Sequence, residues 1–157
     1  MNLNEIGKHT ISLKRITISK EIILDFATLT GDKNEVHMDD RYAIVHGFRS
    51  LIAHRMLTLS FINGLMYESG LYNGTTVIFT HLHSVKFIKP AYPNTEIFAQ
   101  LNVTEKCASR DGKGTYIVVQ VIGIEAKTNS EFISFEAKFK ILQENIKAEG
   151  KSDDFDR

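Results

Sequence analysis

The run from Leu51 to Tyr67 constrains this chain more than any other stretch. Leu51, Ile52, Met56, Leu57, Leu59, Phe61, Ile62, Leu65 and Met66 leave it apolar on nearly every side at helical spacing. Such a helix is expected to be buried rather than to lie amphipathically on a surface, and it is too short to span a bilayer. After Gly70 the pattern changes. Thr76 to Lys89, Glu96 to Cys107, Thr115 to Glu125 and Glu131 to Leu142 are rich in β-branched and aromatic residues and are separated by turn signals. Asp111-Gly112 and Asn129-Ser130 read as hairpin turns, the first the stronger signal. The last strand alternates, with Phe135, Ala137, Phe139 and Ile141 on one face and Glu136, Lys138 and Lys140 on the other. Tyr116 to Ile122 is nearly all apolar, as in a central strand covered on both faces. One buried helix followed by an antiparallel meander predicts an α+β fold whose sheet wraps around that helix.

Upstream, Thr10 to Ile18 alternates as a first strand. Ser19 is placed to cap a short helix with an apolar face of Ile22, Ile23, Phe26 and Ala27, and Gly31 suits its C-terminal stop. Asp39 or Asp40 can cap a further helical turn through Arg41 to Val45. At 157 residues the chain reads as one domain with a sizeable core, residues 1–142, followed by a charged tail, residues 143–157, with no apolar period. Lys plus Arg, 19, equals Asp plus Glu, 19, which argues against nucleic acid or an anionic membrane as the main partner. Cys107 is the only cysteine, so neither an intrachain disulfide nor a cysteine-rich metal site can form. Met1 to Lys20 lacks the apolar core of a signal peptide. The expectation is a soluble cytoplasmic protein.

Chemistry concentrates in the loop Gly31 to Asp39, Gly-Asp-Lys-Asn-Glu-Val-His-Met-Asp. It carries a carboxylate, Asp32, and an imidazole, His37, without a helical apolar period between them, so both side chains can converge on one point. A carboxylate and a neutral imidazole sharing a water molecule are a minimal kit for adding or removing water. Taken alone, the stretch reads equally as a polar turn with a helix cap.

Two further segments change that balance: Ile52-Ala53-His54-Arg55-Met56-Leu57, and Ser84 to Pro93 at the end of a strand. In this order and spacing the three resemble the MaoC-like dehydratases, the (R)-specific enoyl-CoA hydratase group with a hot-dog fold, over Ser19 to Leu142. The sharpest element is Asp-x-Asn-x-x-His-x-Asp, matched by Asp32, Asn34, His37 and Asp39. The resemblance implies that Asp32 and His37 hold a catalytic water. It also implies that a backbone N–H at the start of the central helix, that of Arg55, serves the thioester oxyanion, and that two copies pair edge to edge as a homodimer. Two positions depart from the pattern: Glu35 replaces the usual proline, and Arg55 replaces the glycine of His-Gly-Met.

Other candidates have ordinary alternatives. Asn34 can orient the site or simply hold its turn. Ser60 can face an acyl group or bond its own helix backbone. His54 is assigned to the start of the helix. His81 and His83 share a strand face, but no third ligand in register makes a metal site, so no metal is expected. Lys86, Lys89 and Arg110 can meet phosphates of CoA or be merely solvated. The leading expectation is hydration of an enoyl thioester, or dehydration of its (R)-3-hydroxyacyl counterpart. The substrate would be carried on CoA or on the phosphopantetheine of an acyl-carrier protein, with no separate cofactor. An inactive acyl-thioester-binding or structural subunit is the second reading. A thioesterase is the third; its carboxylate would have to be Glu68, at the wrong end of the helix.

Overall fold

The computed structural model describes residues 10–70 and 75–142; the expected tail, residues 143–157, lies outside them. The four long strands follow from the four β-rich segments: β3 Thr76–Phe87, β4 Thr95–Ala108, β5 Gly114–Glu125 and β6 Ser130–Leu142. With the short β1 Ile11–Ser12 and β2 Ile16–Ile18 they make one antiparallel sheet of order β1-β4-β5-β6-β3, β2 also pairing with β4. β5 therefore lies centrally, between two full-length neighbours, but it is not covered on both faces as expected: Ile117, Val119 and Val121 are buried under α3, while Gln120 on the other face is exposed and Tyr116 and Ile122 are only partly buried. Phe135, Ala137, Phe139 and Ile141 of β6 all point into the core. Gly112, at φ 68°, closes the β4–β5 turn. Asp111 holds that turn by accepting from the Ser109 hydroxyl at 2.6 Å, the Lys113 N–H at 3.0 Å and Lys140 Nζ at 2.6 Å.

Two expectations need correction at the first strand and the central helix. Thr10 to Ile18 is not one strand: β1 and β2 are separate pieces whose pairing with β4 shifts by one residue between them. Buried Leu13 sits at the break and donates its N–H to the Ala99 carbonyl. The central helix, α3, runs Arg55–Glu68 rather than from Leu51. Leu51, Ile52 and Ala53 donate their N–H groups to Asp40 Oδ1, the Val36 carbonyl and the Ala91 carbonyl, so they form an irregular bridge between residues 36–40 and the loop after β3.

α3 is also buried on one side only. Leu57, Leu59, Ile62, Leu65 and Met66 enter the core, whereas Met56, Ser60, Asn63 and Tyr67 line an exposed stripe. A single sheet covers one face of a helix, and these four recur at the spacing of the opposite face. Before α3 come α1, Lys20–Thr30, and α2, Asp40–Val45. Ser19 caps α1 through the Ile22 N–H, Gly31 ends it at φ 78°, and Asp39 caps α2 through the Tyr42 N–H.

α3 sits tight against the sheet because β5 carries Gly123 beneath it. A Cβ there would lie 2.5 Å from Ile133 Cγ2, 2.8 Å from Ile62 Cδ1 and 2.9 Å from Phe132 Cζ. Gly123→Val should therefore overpack the helix–sheet contact and destabilise the fold by about 1–3 kcal/mol. Thermal denaturation checks this, and an unchanged melting temperature would contradict the close approach.

Candidate active site at the start of the central helix

The left-handed Gly31 turns the chain out of α1 so that Asp32 follows at once. Asp32 Oδ1 accepts the Asn34 N–H at 3.4 Å, and Asn34 Oδ1 accepts the Val36 N–H at 3.3 Å. These two local bonds wind the chain into a 3-10 turn, Glu35–His37, capped by Asn34. The turn carries His37 inward, where only 9% of the residue remains exposed, while Asp32 stays exposed at the rim. His37 Nδ1 donates to the Ile52 carbonyl at 2.8 Å. That bond fixes the tautomer and leaves Nε2 as a bare acceptor.

The irregular segment before α3 completes the site. Ile52 accepts from His37 through its carbonyl and donates to Val36 through its N–H. His54, 2% exposed, lays its ring on that of His37 with centroids 3.8 Å apart and planes 27° apart. Its Nε2–H donates to the Asp32 backbone carbonyl at 2.9 Å. A carboxylate oxygen of Asp32 and a ring nitrogen from each of His37 and His54 lie within 4.8 Å of one another. Carboxylate and imidazole are thus near enough for one water to bridge them.

Burial pushes the His37 pKa below the ordinary imidazole value. The Ile52 carbonyl acts in the opposite direction; His54 adds to the lowering and Asp32 opposes it. The ring is accordingly held neutral, the form that can accept a proton. The three clustered donors do not fit a metal ion well. Ring-nitrogen lone pairs lie in the ring planes, and two nearly parallel imidazoles stacked at 3.8 Å cannot both aim at one ion. His81 and His83 also stack, at 5.6 Å, and pair across the sheet with Lys138 and Glu136 of β6. No group of three metal-binding side chains includes them among the described residues.

Asp32, His37, His54 and Arg55 line a cleft of about 530 Å³ together with Phe26, Thr30, Val36, Ile52 and Met56. Arg55 is the first residue of α3, and no side chain caps that helix end, so its N–H groups are available to a developing negative charge. The Arg55 guanidinium lies 5.4 Å over the Phe87 ring, and Phe87 lines a smaller hollow with Phe48, Thr58 and Lys89. Ser60 is not brought to the cleft lining: its hydroxyl donates to the Met56 carbonyl at 2.8 Å on the exposed face of α3. Asn34 acts on the turn backbone. Sequence reasoning passed over His54 as a member of the cluster and Asp40 as its support. Asp40 ties Leu51 to Lys20 of α1, with Nζ at 2.7 Å. The adjacency of His54 to Arg55 was the available signal.

Comparison with known proteins bears on the family and the fold. Residues 2–125 match the family described as MaoC like domain. The uncharacterized protein YdeM of Bacillus subtilis is 29% identical over 144 residues, which cover 90% of this chain and 98% of that protein. The (R)-specific enoyl-CoA hydratase of Aeromonas caviae is 28% identical over 100 residues, covering 64% of this chain and 71% of the hydratase. Among solved structures, the MaoC-like dehydratase of Rhodospirillum rubrum superposes with a TM-score of 0.78 at 18% identity, over 91% of this chain and 97% of that one. The A. caviae (R)-hydratase gives 0.72 at 24%, over 89% and 98%. Sheet, helix and family match converge: the chain belongs to the MaoC-like domain family and has its hot-dog fold.

Proposed function

We propose that this protein hydrates trans-2-enoyl thioesters to (R)-3-hydroxyacyl thioesters, and dehydrates them in reverse, on CoA or an acyl-carrier protein. The observation that carries the reading is the convergence of the Asp32 carboxylate and the His37 ring within 4.8 Å, beside the uncapped start of α3. A water held between them gives up a proton as its oxygen bonds to C3. The electrons of the double bond move to the thioester oxygen, where the Arg55 N–H can donate to the forming oxyanion. Collapse of the enolate with protonation at C2 completes the addition of one water. An oxyanion donor of this kind contributes roughly 3 kcal/mol in the transition state. The family membership and the named hydratase relative support the reaction class.

The same reading makes the functional unit a homodimer joined at β3, in the cytoplasm. β3 pairs only with β6 among the described residues, leaving one long edge open. Ile78 and Phe79 on it are each close to half exposed. An open apolar edge of this length invites a second strand. A monomer by light scattering at micromolar concentration would contradict this.

Asp32→Asn and His37→Ala should each lower crotonyl-CoA hydration by about 10²–10⁴-fold, the first at a nearly unchanged melting temperature and the second with a lower one, since it removes a buried ring and the donor to the Ile52 carbonyl. Because the two share one water, the double variant should be little worse than either single one. Near-wild-type turnover in both would refute the assignment. The pH profile carries a second check. His37 must be neutral to accept a proton and its pKa is lowered, so the acid limb it sets for kcat/KM should fall below about 6.5. A limb at or above that value would exclude His37 as the titrating base.

Arg55 bears on the second reading, a subunit that binds thioesters without turning them over. Its backbone N–H survives the replacement of glycine, and its guanidinium rests on Phe87. Arg55→Gly should therefore preserve or raise turnover, most for long acyl chains that a side chain at the rim would impede. If the guanidinium instead recognises an acidic acyl group, the variant should lose that substrate selectively. kcat/KM across short, long and acidic enoyl thioesters distinguishes these outcomes from an inactive protein.

A further inference from the structure

His54 is the least expected member of the cluster. A histidine that merely fills space at a helix start has cheaper substitutes, since an aromatic hydrocarbon would pack equally well. Here the ring is 2% exposed, and its Nδ1 is buried without a hydrogen-bond partner. A buried unpartnered acceptor destabilises the fold, so its retention calls for a return elsewhere. Three contacts define what that return is. The Nε2–H donates to the Asp32 carbonyl at 2.9 Å. One contact is the stack on His37 at 3.8 Å, and Phe26 meets the His54 ring at 5.1 Å and 57°. The chain then passes directly into Arg55, the first residue of α3.

We propose that His54 is the positioning residue of this site: its ring holds the His37 imidazole in plane while its Nε2–H holds the Asp32 backbone. The separation that one water spans is thereby set by a third side chain. That side chain is itself fixed by Phe26 and by the helix start that supplies the oxyanion donor. His54 touches neither water nor thioester in this scheme, and acts through the two residues that do. The inference rests on the hydration reading for its kinetic consequences, but not for its structural ones.

The geometry also makes the two imidazoles unequal. His37 has Nδ1–H on a carbonyl and a bare Nε2; His54 has Nε2–H on a carbonyl and a bare, enclosed Nδ1. The titratable and charged groups lining the cleft around His37 are Asp32 on its own loop and His54 and Arg55 at the start of α3. Of these, His54 adds to the burial in disfavouring charge on His37, and Asp32 opposes it.

His54→Phe keeps a ring on His37 and deletes the bond to Asp32; His54→Gln keeps an N–H donor and deletes the ring. Each is measured by thermal melting, by crotonyl-CoA hydration, and by ¹⁵N NMR of the His37 imidazole across pH. For His54→Phe the expected result is a folded protein with kcat lowered about 10–100-fold and KM changed less than about threefold. Its acid limb should move to higher pH, because the neighbouring imidazole no longer disfavours charge on His37. His54→Gln should keep the Asp32 loop but remove the ring that braces His37, loosening its Nδ1–H bond to the Ile52 carbonyl and shifting its ¹⁵N signals. Unchanged kcat together with unchanged His37 ¹⁵N signals and titration in both variants would overturn the proposal. So would activity lost only in proportion to unfolded protein. If wild type fails to hydrate enoyl thioesters, the hydration reading falls, and the NMR result alone decides the role of His54. If His54→Phe does not fold, the same His37 spectrum is read from His54→Gln.

Discussion

Everything in the site depends on three residues that decline to be helical. Leu51, Ile52 and Ala53 are apolar and lie just before α3, yet their N–H groups are taken by Asp40 at the start of α2, Val36 in the 3-10 turn and Ala91 after β3. A helix begun at Leu51 would need the Ile52 carbonyl to accept the Met56 N–H; that carbonyl accepts the His37 ring instead, and α3 begins only at Arg55. The segment is thus a short bridge joining the 3-10 turn on one side to the loop after β3 on the other. The Ile52 carbonyl, left outside the helix, becomes the acceptor that sets the His37 tautomer. Helix start, histidine orientation and cleft wall follow from one backbone conformation.

That bridge explains why three segments far apart in sequence act as one site. The loop at Asp32, the run at His54 and the end of β3 are brought together by backbone hydrogen bonds rather than by the charged side chains that would perform chemistry. Charge is sparing here. His37 is neutral by burial, His54 spends its N–H on a carbonyl, and the exposed Asp32 is the cleft's one carboxylate. A polar water in such a place meets one acidic and one basic partner against apolar walls, which is the condition for moving a proton at neutral pH.

What the sequence discloses here is whatever is settled locally. β-Branched and aromatic content between turn signals places the four long strands within about two residues, since each strand's pattern is complete in itself. The caps at Ser19 and Asp39 and the stop at Gly31 are legible for the same reason: the bonds span three or four residues. Non-local contacts defeat the reading. Nothing within Leu51–Ala53 announces that Val36 and Ala91 will claim its donors, so the run passes for helix. The split at Leu13 is set by β4 across the sheet, and the stack of His54 on His37 joins residues that no periodicity relates. Motif resemblance reached Asp32 and His37 but left His54 at the helix start, because a motif records which residues recur and not which of them touch.

The exposed stripe on α3 connects the site to the open edge of the sheet. Met56, Ser60, Asn63 and Tyr67 run along the face that the sheet leaves bare, and Asn63 and Tyr67 share a hollow with Val77 and Phe79 of β3. Met56, at the other end of that stripe, is a wall of the cleft that holds Asp32 and His37. A second copy docked along the β3 edge would continue the sheet past Phe79 and lie beside this stripe, covering apolar surface on α3 that one protomer cannot. The acyl end of the cleft would then be bounded partly by the neighbour. On the proposed reading the limit on acyl length would belong to the pair of chains, whereas Asp32 and His37 come from one chain alone. Substitutions at Met56 and Tyr67 would then alter substrate size and association together, whereas one at the exposed Asp32 would, on the proposed reading, alter the chemistry and leave association unchanged.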